Sequence, residues 1–157
     1  AECYSHLFKI QCVGLRFFTV YGPWGRPDMA TFIFTKNILE NKAIQIFNYG
    51  KMKRDFTYID DIVQGVLGVL KIRKNFSHKI YNLGNSHPEI LLEFIGVIEK
   101  NLNLKAKKTL LPIQPGDVSE TFADISESKK DFNFSPKTKV STGIPKFINW
   151  YKDYYKL

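Results

Sequence analysis

A length of 157 residues gives room for one domain, and 44% apolar with 24% charged side chains is ordinary for a globular fold. This composition excludes disordered, collagen-like and coiled-coil chains, and no apolar run approaches the roughly 18 residues of a membrane-spanning helix. A formal net charge of +8 points either to an anionic partner or to lysines that solvate the surface.

Residues 1–8 read as the tail of an amphipathic helix entered midway, with Tyr4, Leu7 and Phe8 on one side. Val13–Val20 is a near-continuous apolar run interrupted by Arg16, the pattern of a buried parallel strand. Gly22, Pro23, Gly25 and Pro27 make residues 21–28 a loop, and Asp28 is placed to cap a helix from Met29 to Glu40. A short strand is expected over Ala43–Phe47, a turn at Asn48-Tyr49-Gly50, and β structure over Arg54–Ile59. Asp61 with Gln64 resembles a capping box for a helix to Lys71.

Ile80–Leu83 reads as a strand ending at Gly84. Over Ile90–Leu102, the residues Ile90, Leu91, Phe94, Ile95, Val97 and Ile98 form a wide helical stripe. Thr109–Ile113 is a last short strand. Asp124 with Glu127 marks a helix to Asp131, and Ser141 or Thr142 caps a final helix carrying Phe147, Ile148, Trp150, Tyr151 and Tyr154. The fold class is α/β, in one unit over 1–157.

The two cysteines, Cys3 and Cys12, lack C-x-x-C spacing, and the three histidines have no partner at ligand spacing, so neither disulfides nor a metal site are expected. With no charged-then-apolar leader visible, a reducing cytoplasm is the expected compartment. Basic residues gather at Lys51–Arg54, Lys71–Lys74, Lys105–Lys108 and Lys137–Lys139, and only the first group is interleaved with other informative residues. The thirteen Phe sit mostly in core-like runs rather than beside the lysines, which argues against nucleic acid as the partner.

Two stretches carry chemistry. Thr19 stands near the carboxyl end of a strand, where open α/β sheets bind ligands, and Arg26 follows in the next loop. Arg26 either offers a fork to a carboxylate or phosphate or faces water. Arg54 beside Asp55 is either a surface pair or a cation aimed at a diphosphate. Pro115-Gly116-Asp117 sets a carboxylate in a turn.

Leu15-Arg16-Phe17-Phe18-Thr19-Val20-Tyr21-Gly22-Pro23-Trp24-Gly25-Arg26-Pro27-Asp28-Met29-Ala30 resembles the extended short-chain dehydrogenase/reductase family, and more narrowly its UDP-glucuronate 4-epimerases. Residues 54–61, Tyr81-Asn82-Leu83-Gly84-Asn85, Gln114-Pro115-Gly116-Asp117-Val118 and Trp150-Tyr151 follow in the family's order. The resemblance implies a chemistry in which NAD takes a hydride from C4 of a UDP-sugar and returns it to the other face. A Tyr in a helical Tyr-x-x-x-Lys pair is the base. It further implies that these residues are the C-terminal part of an extended Rossmann-type epimerase: the last Rossmann elements plus a small mixed α/β substrate-binding domain. The NAD-binding Rossmann part is absent from the 157 residues.

By the same resemblance Phe17 lies near the nicotinamide, and Thr19 and Arg26 face the sugar carboxylate. Gln45, Ile46 and Phe47 pass along the uracil, Arg54 holds the diphosphate, and Asp117 holds the ribose. Thr19 and Gln114 stand where galactose epimerases carry Asn and Arg, which favours glucuronate. The expected partners are a UDP-sugar and a separate chain supplying the Rossmann half, with no membrane or nucleic acid. No glycine-rich phosphate loop follows any strand. The single Tyr-x-x-x-Lys match, Tyr49 with Lys53, starts in a turn, so no catalytic residue is assigned. The alternatives are a nucleotide-sugar binding module without activity and a degenerate fragment.

Overall fold

A computed structural model describes residues 1–157 apart from Arg73 and Asn75, so the basic group at 71–74 lies partly outside the described residues. In chain order the elements are α1 (Glu2–Phe8), β1 (Cys12–Phe17), β2 (Thr19–Tyr21), α2 (Ala30–Leu39), β3 (Ala43–Ile46), a 3-10 turn (Phe47–Gly50), β4 (Lys53–Arg54), β5 (Phe56–Tyr58) and α3 (Ile59–Leu70). They continue with β6 (His78–Leu83), β7 (Glu89–Ile90), α4 (Leu91–Leu102), β8 (Lys107–Leu110), α5 (Ser126–Phe132) and α6 (Val140–Tyr155).

The apolar run expected as one strand is two. β1 pairs with β6 in parallel, Phe18 breaks the run, and β2 pairs with β5 in parallel. The change of partner is visible in the backbone: Phe18 N–H donates to Leu83 C=O, and Thr19 N–H donates to Asp55 C=O. β3 pairs with β8 in parallel and β4 with β7 antiparallel. β1 is half-buried rather than buried, and Phe17 is exposed.

Helices form where apolar residues recur on one face. In α4 the residues Leu91, Phe94, Ile95, Ile98 and Leu102 are buried, and Asn103 closes the helix in the left-handed region. In α6 the buried set is Val140, Gly143, Ile144, Phe147, Ile148 and Tyr151. α4, α6 and α2 enclose the main core with β3 and β5, and Phe56 stacks on Phe94 at 3.8 Å between ring centroids. Gly143 lets α6 approach this core, because a Cβ there would overlap the Tyr21 hydroxyl and the Tyr58 ring. A second, small cluster of Ile62, Leu83 and Phe134 lies under α3, β6 and α5.

The expected caps are used differently. Asp28 pairs with Arg26 instead of capping α2, which starts after Met29. Asp61 lies inside the first turn of α3 and accepts the Lys137 and Thr138 N–H groups at 3.2 and 2.9 Å. Asp124 accepts the Ser126 N–H at 2.9 Å, and Glu127 pairs with Lys79. α6 starts at Val140, before Ser141 and Thr142. Among the described residues no helix is long and apolar enough to cross a membrane.

Candidate functional site

A cavity of about 620 Å³ lies between α2, β3 and the start of β2, with Thr19, Gln45, Phe47, Arg54, Gln114 and Asp117 on its wall. Thr19 is placed by the change of strand partner after Phe18. Strand alternation sends Gln45 into the cavity and Ile46 into the core, where Ile46 is fully buried. The Ile46 side chain is therefore out of reach of a ligand, and its carbonyl already accepts the Leu111 N–H at 2.9 Å.

Arg54 closes β4 and is partly buried. Its guanidinium donates to Asp117 at 2.8 Å and to the Lys53 carbonyl at 2.9 Å, and touches the Met52 sulfur at 3.8 Å. A guanidinium has five N–H donors, so these contacts leave some for a ligand. The partner of Arg54 is thus Asp117, not its neighbour Asp55, which is 0% exposed and turned inward. Asp117 is delivered by a tight turn in which Gly116 has φ 83 and the Asp117 N–H donates to the Gln114 carbonyl. Pro followed by a positive-φ Gly is the signature of a type II turn, so the loop is set by sequence.

Two expected site residues stand elsewhere. Phe17 and Arg26 line an adjacent apolar cavity of about 400 Å³ together with Trp24 and Pro23. Arg26 forms a bidentate pair with Asp28 at 3.0 and 2.5 Å, and both side chains are open to solvent. The hydrogen bonds from Arg26 hold the Asp28 carboxyl below its ordinary range. Five of the eight expected residues thus share the larger cavity. Asn37 and Met52 also line it and escaped sequence reasoning: Asn37 sits mid-helix and Met52 inside a basic run, and neither carries a motif. Tyr49 belongs to the 3-10 turn and Lys53 to β4, so that pair shares no helix face.

The arrangement suits an elongated polar anion. One partly buried guanidinium offers donors to a phosphate, the Thr19 hydroxyl and the Gln45 and Gln114 amides share the wall with the Asp28 and Asp117 carboxylates, and the Phe47 ring adds an apolar surface.

The sequence profile of the NAD dependent epimerase/dehydratase family matches residues 1–84. UDP-glucuronate 4-epimerase 2 of Arabidopsis thaliana is 45% identical over 171 aligned positions, covering 99% of this chain and 39% of the plant protein. Protein CapI of Staphylococcus aureus is 45% identical, covering 99% of this chain and 52% of its own length. The crystal structure of UDP-glucuronic acid 4-epimerase from Bacillus cereus, in complex with UDP-glucuronic acid and NAD, superposes with a TM-score of 0.92 at 38% identity. That match covers 98% of this chain and 49% of the bacterial one. The chain spans about half the length of the curated relatives it matches, 39% to 52% in the two cases given.

Proposed function

We propose, because this chain belongs to the NAD dependent epimerase/dehydratase family, that it is the UDP-sugar-binding portion of a UDP-glucuronate 4-epimerase. The observation that carries this reading is Arg54 with Asp117 on the wall of the larger cavity, which Thr19, Gln45 and Phe47 also line. In it, Arg54 neutralises the diphosphate, Asp117 accepts hydrogen bonds from ribose hydroxyls, and Phe47 with Gln45 borders the uracil. Thr19 donates a hydrogen bond to the sugar carboxylate. Arg26, once drawn from Asp28, adds a second cation at that end.

NAD, when bound, supplies hydride acceptance and return at the sugar's C4. The residues present fit only one end of it. Phe17 is 51% exposed on an apolar wall, which offers a face for a nicotinamide ring. No glycine loop in the sequence offers backbone N–H groups to a pyrophosphate. The pyrophosphate contacts and the Tyr-Lys base are therefore assigned to a Rossmann portion outside these residues. The apolar side chains that face solvent on α1, β1 and α3 support its docking there: Leu7, Phe8, Phe17, Val63, Leu67 and Leu70. The reading keeps the cytoplasm as the expected compartment.

Calorimetric titration of the chain with UDP tests the proposal. Arg54→Ala is expected to weaken binding about ten- to a hundredfold, the effect of losing a hydrogen bond to a charged group. Unchanged affinity would return Arg54 to a structural pair with Asp117.

A further inference from the structure

Asp55 lies between Arg54 and Phe56, is 0% exposed, and among the described residues pairs with no Lys or Arg. Its carboxylate is instead filled by donors from three segments. Oδ1 accepts the Asn85 N–H at 2.6 Å and the Thr57 hydroxyl at 3.3 Å. Oδ2 accepts the Ser86 N–H and the Ala123 N–H, both at 2.9 Å. The Asp55 backbone adds two bonds: its carbonyl accepts the Thr19 N–H at 3.1 Å, and its N–H donates to the Thr121 hydroxyl at 3.1 Å.

Those partners reach the candidate site at two points, Thr19 and the segment that follows Asp117; Thr19 and Asp117 both line the larger cavity. Residues 119–123 run beside β4 through Lys53 N–H to Ser119 C=O and Thr121 N–H to Lys53 C=O, and they continue directly from Asp117. Thr19 is the cavity hydroxyl. A buried carboxylate is costly unless every lone pair is met, and burying one without a cation is unusual. An apolar side chain would fill the same volume with no such demand. What only a carboxylate does here is accept on both oxygens from two separate loops.

We propose that Asp55 is the positioning residue of this site: it ties the Asn85–Ser86 turn and the 119–123 strap to β4. Arg54, Asp117 and Thr19 are thereby held together on one cavity wall. Its effect on ligand binding rests on the UDP-sugar reading of the cavity; the tether itself does not.

The test is a double-mutant cycle read by two methods. Asp55→Asn keeps the shape but turns an NH2 group toward N–H donors at one of the two positions. Amide hydrogen exchange at Asn85, Ser86 and Ala123 is expected to rise at least about tenfold, with Ile95, Ile98 and Ile148 unchanged. UDP affinity is expected to fall about tenfold in the parent chain and by less than about twofold in the Arg54→Ala background, because the two act through one contact. The proposal is overturned by exchange that stays unaltered or rises equally throughout the core, or by the same affinity loss in both backgrounds. If Arg54→Ala alone leaves UDP binding unaltered, the UDP reading fails, and the exchange pattern still decides the tether. Should Asp55→Asn not fold, Thr121→Val removes one strap bond with the carboxylate intact. It must raise exchange at Ala123 but not at Ile98, and exchange unaltered at both refutes the tether.

Discussion

On one side of the molecule α2, α4 and α6 close over β3 and β5, and Phe56, Phe94, Ile144 and Phe147 are all but inaccessible. On the other side β1 has β6 as its partner strand, and the outward face of α3 leaves Val63 47%, Leu67 50% and Leu70 76% exposed. The first side is held by interlocking aromatic rings. The second has a small buried cluster of Ile62, Leu83 and Phe134 and adds ion pairs, with Asp131 between Lys74 and Lys79 and hydrogen-bonded to the buried Tyr81. A parallel pair such as β1–β6 is ordinarily covered on both faces. The contrast therefore separates a unit that completes its own core from sheet elements whose apolar face is left open.

The largest expected effect comes from supplying that cover. The chain alone, with NAD and UDP-glucuronate, is expected to form no UDP-galacturonate by chromatography, since no helical Tyr-Lys pair stands ready as the base. Adding a separately produced Rossmann portion from a relative should start turnover and reduce binding of a hydrophobic dye. Turnover by the purified chain alone would break the comparison between a complete side and an incomplete one.

A pair of truncations sharpens it. Phe94→Ala removes a ring that is 1% exposed and stacked on Phe56, and should cost about 3–5 kcal/mol in denaturant unfolding. Leu67→Ala, on the open face, should cost no more than about 0.5 kcal/mol. Gly143→Val lies between them, at about 1–3 kcal/mol from overpacking against Tyr21 and Tyr58. Similar losses for Phe94→Ala and Leu67→Ala would mean that the open face is already covered.

The same contrast governs what could be read from the sequence. α4 and α6 were legible because their apolar stripes bury in one core, and the Pro-Gly turn before Asp117 was legible because its chemistry is local. The break at Phe18 was not. It arises from β1 and β2 taking different partners, and the apolar run continues through it unchanged. Asp28 and Asp61 misled because a carboxylate near a helix start can equally serve another partner, Arg26 for Asp28 and residues 137–138 for Asp61, whereas Asp124 does accept the N–H of Ser126, the first residue of α5. Of the site, the residues at turns and strand ends were readable. Asp55 was read only as a possible partner for Arg54, because its burial depends on loops about 30 and 68 residues away in sequence.

The smallest effect is in pH, and it should divide the two sides. The Asp131 carboxylate is held well below the usual carboxylate range, first by hydrogen bonding from Lys74, then by Lys79 and Tyr81. A depressed pKa in the folded state means that the unfolded chain binds the proton more readily. The stabilisation is then complete above the unfolded value of 3.8 and is lost progressively as pH falls below it toward the folded value. Acid should loosen the junction of α5 and β6 and also the end of α4, where Lys108 and Lys105 pair with the buried Glu99 carboxylate and hold it low, while α6, which among the described residues carries no ion pair, stays folded. Exchange measured at pH 5 and pH 3 is expected to rise at Tyr81 and Phe132 more than at Ile144 and Ile148 of α6. Asp131→Asn should abolish that difference, because the variant has no proton to take up at this position. Equal acid sensitivity at all four amides in the parent chain would show that charge does not hold the open side.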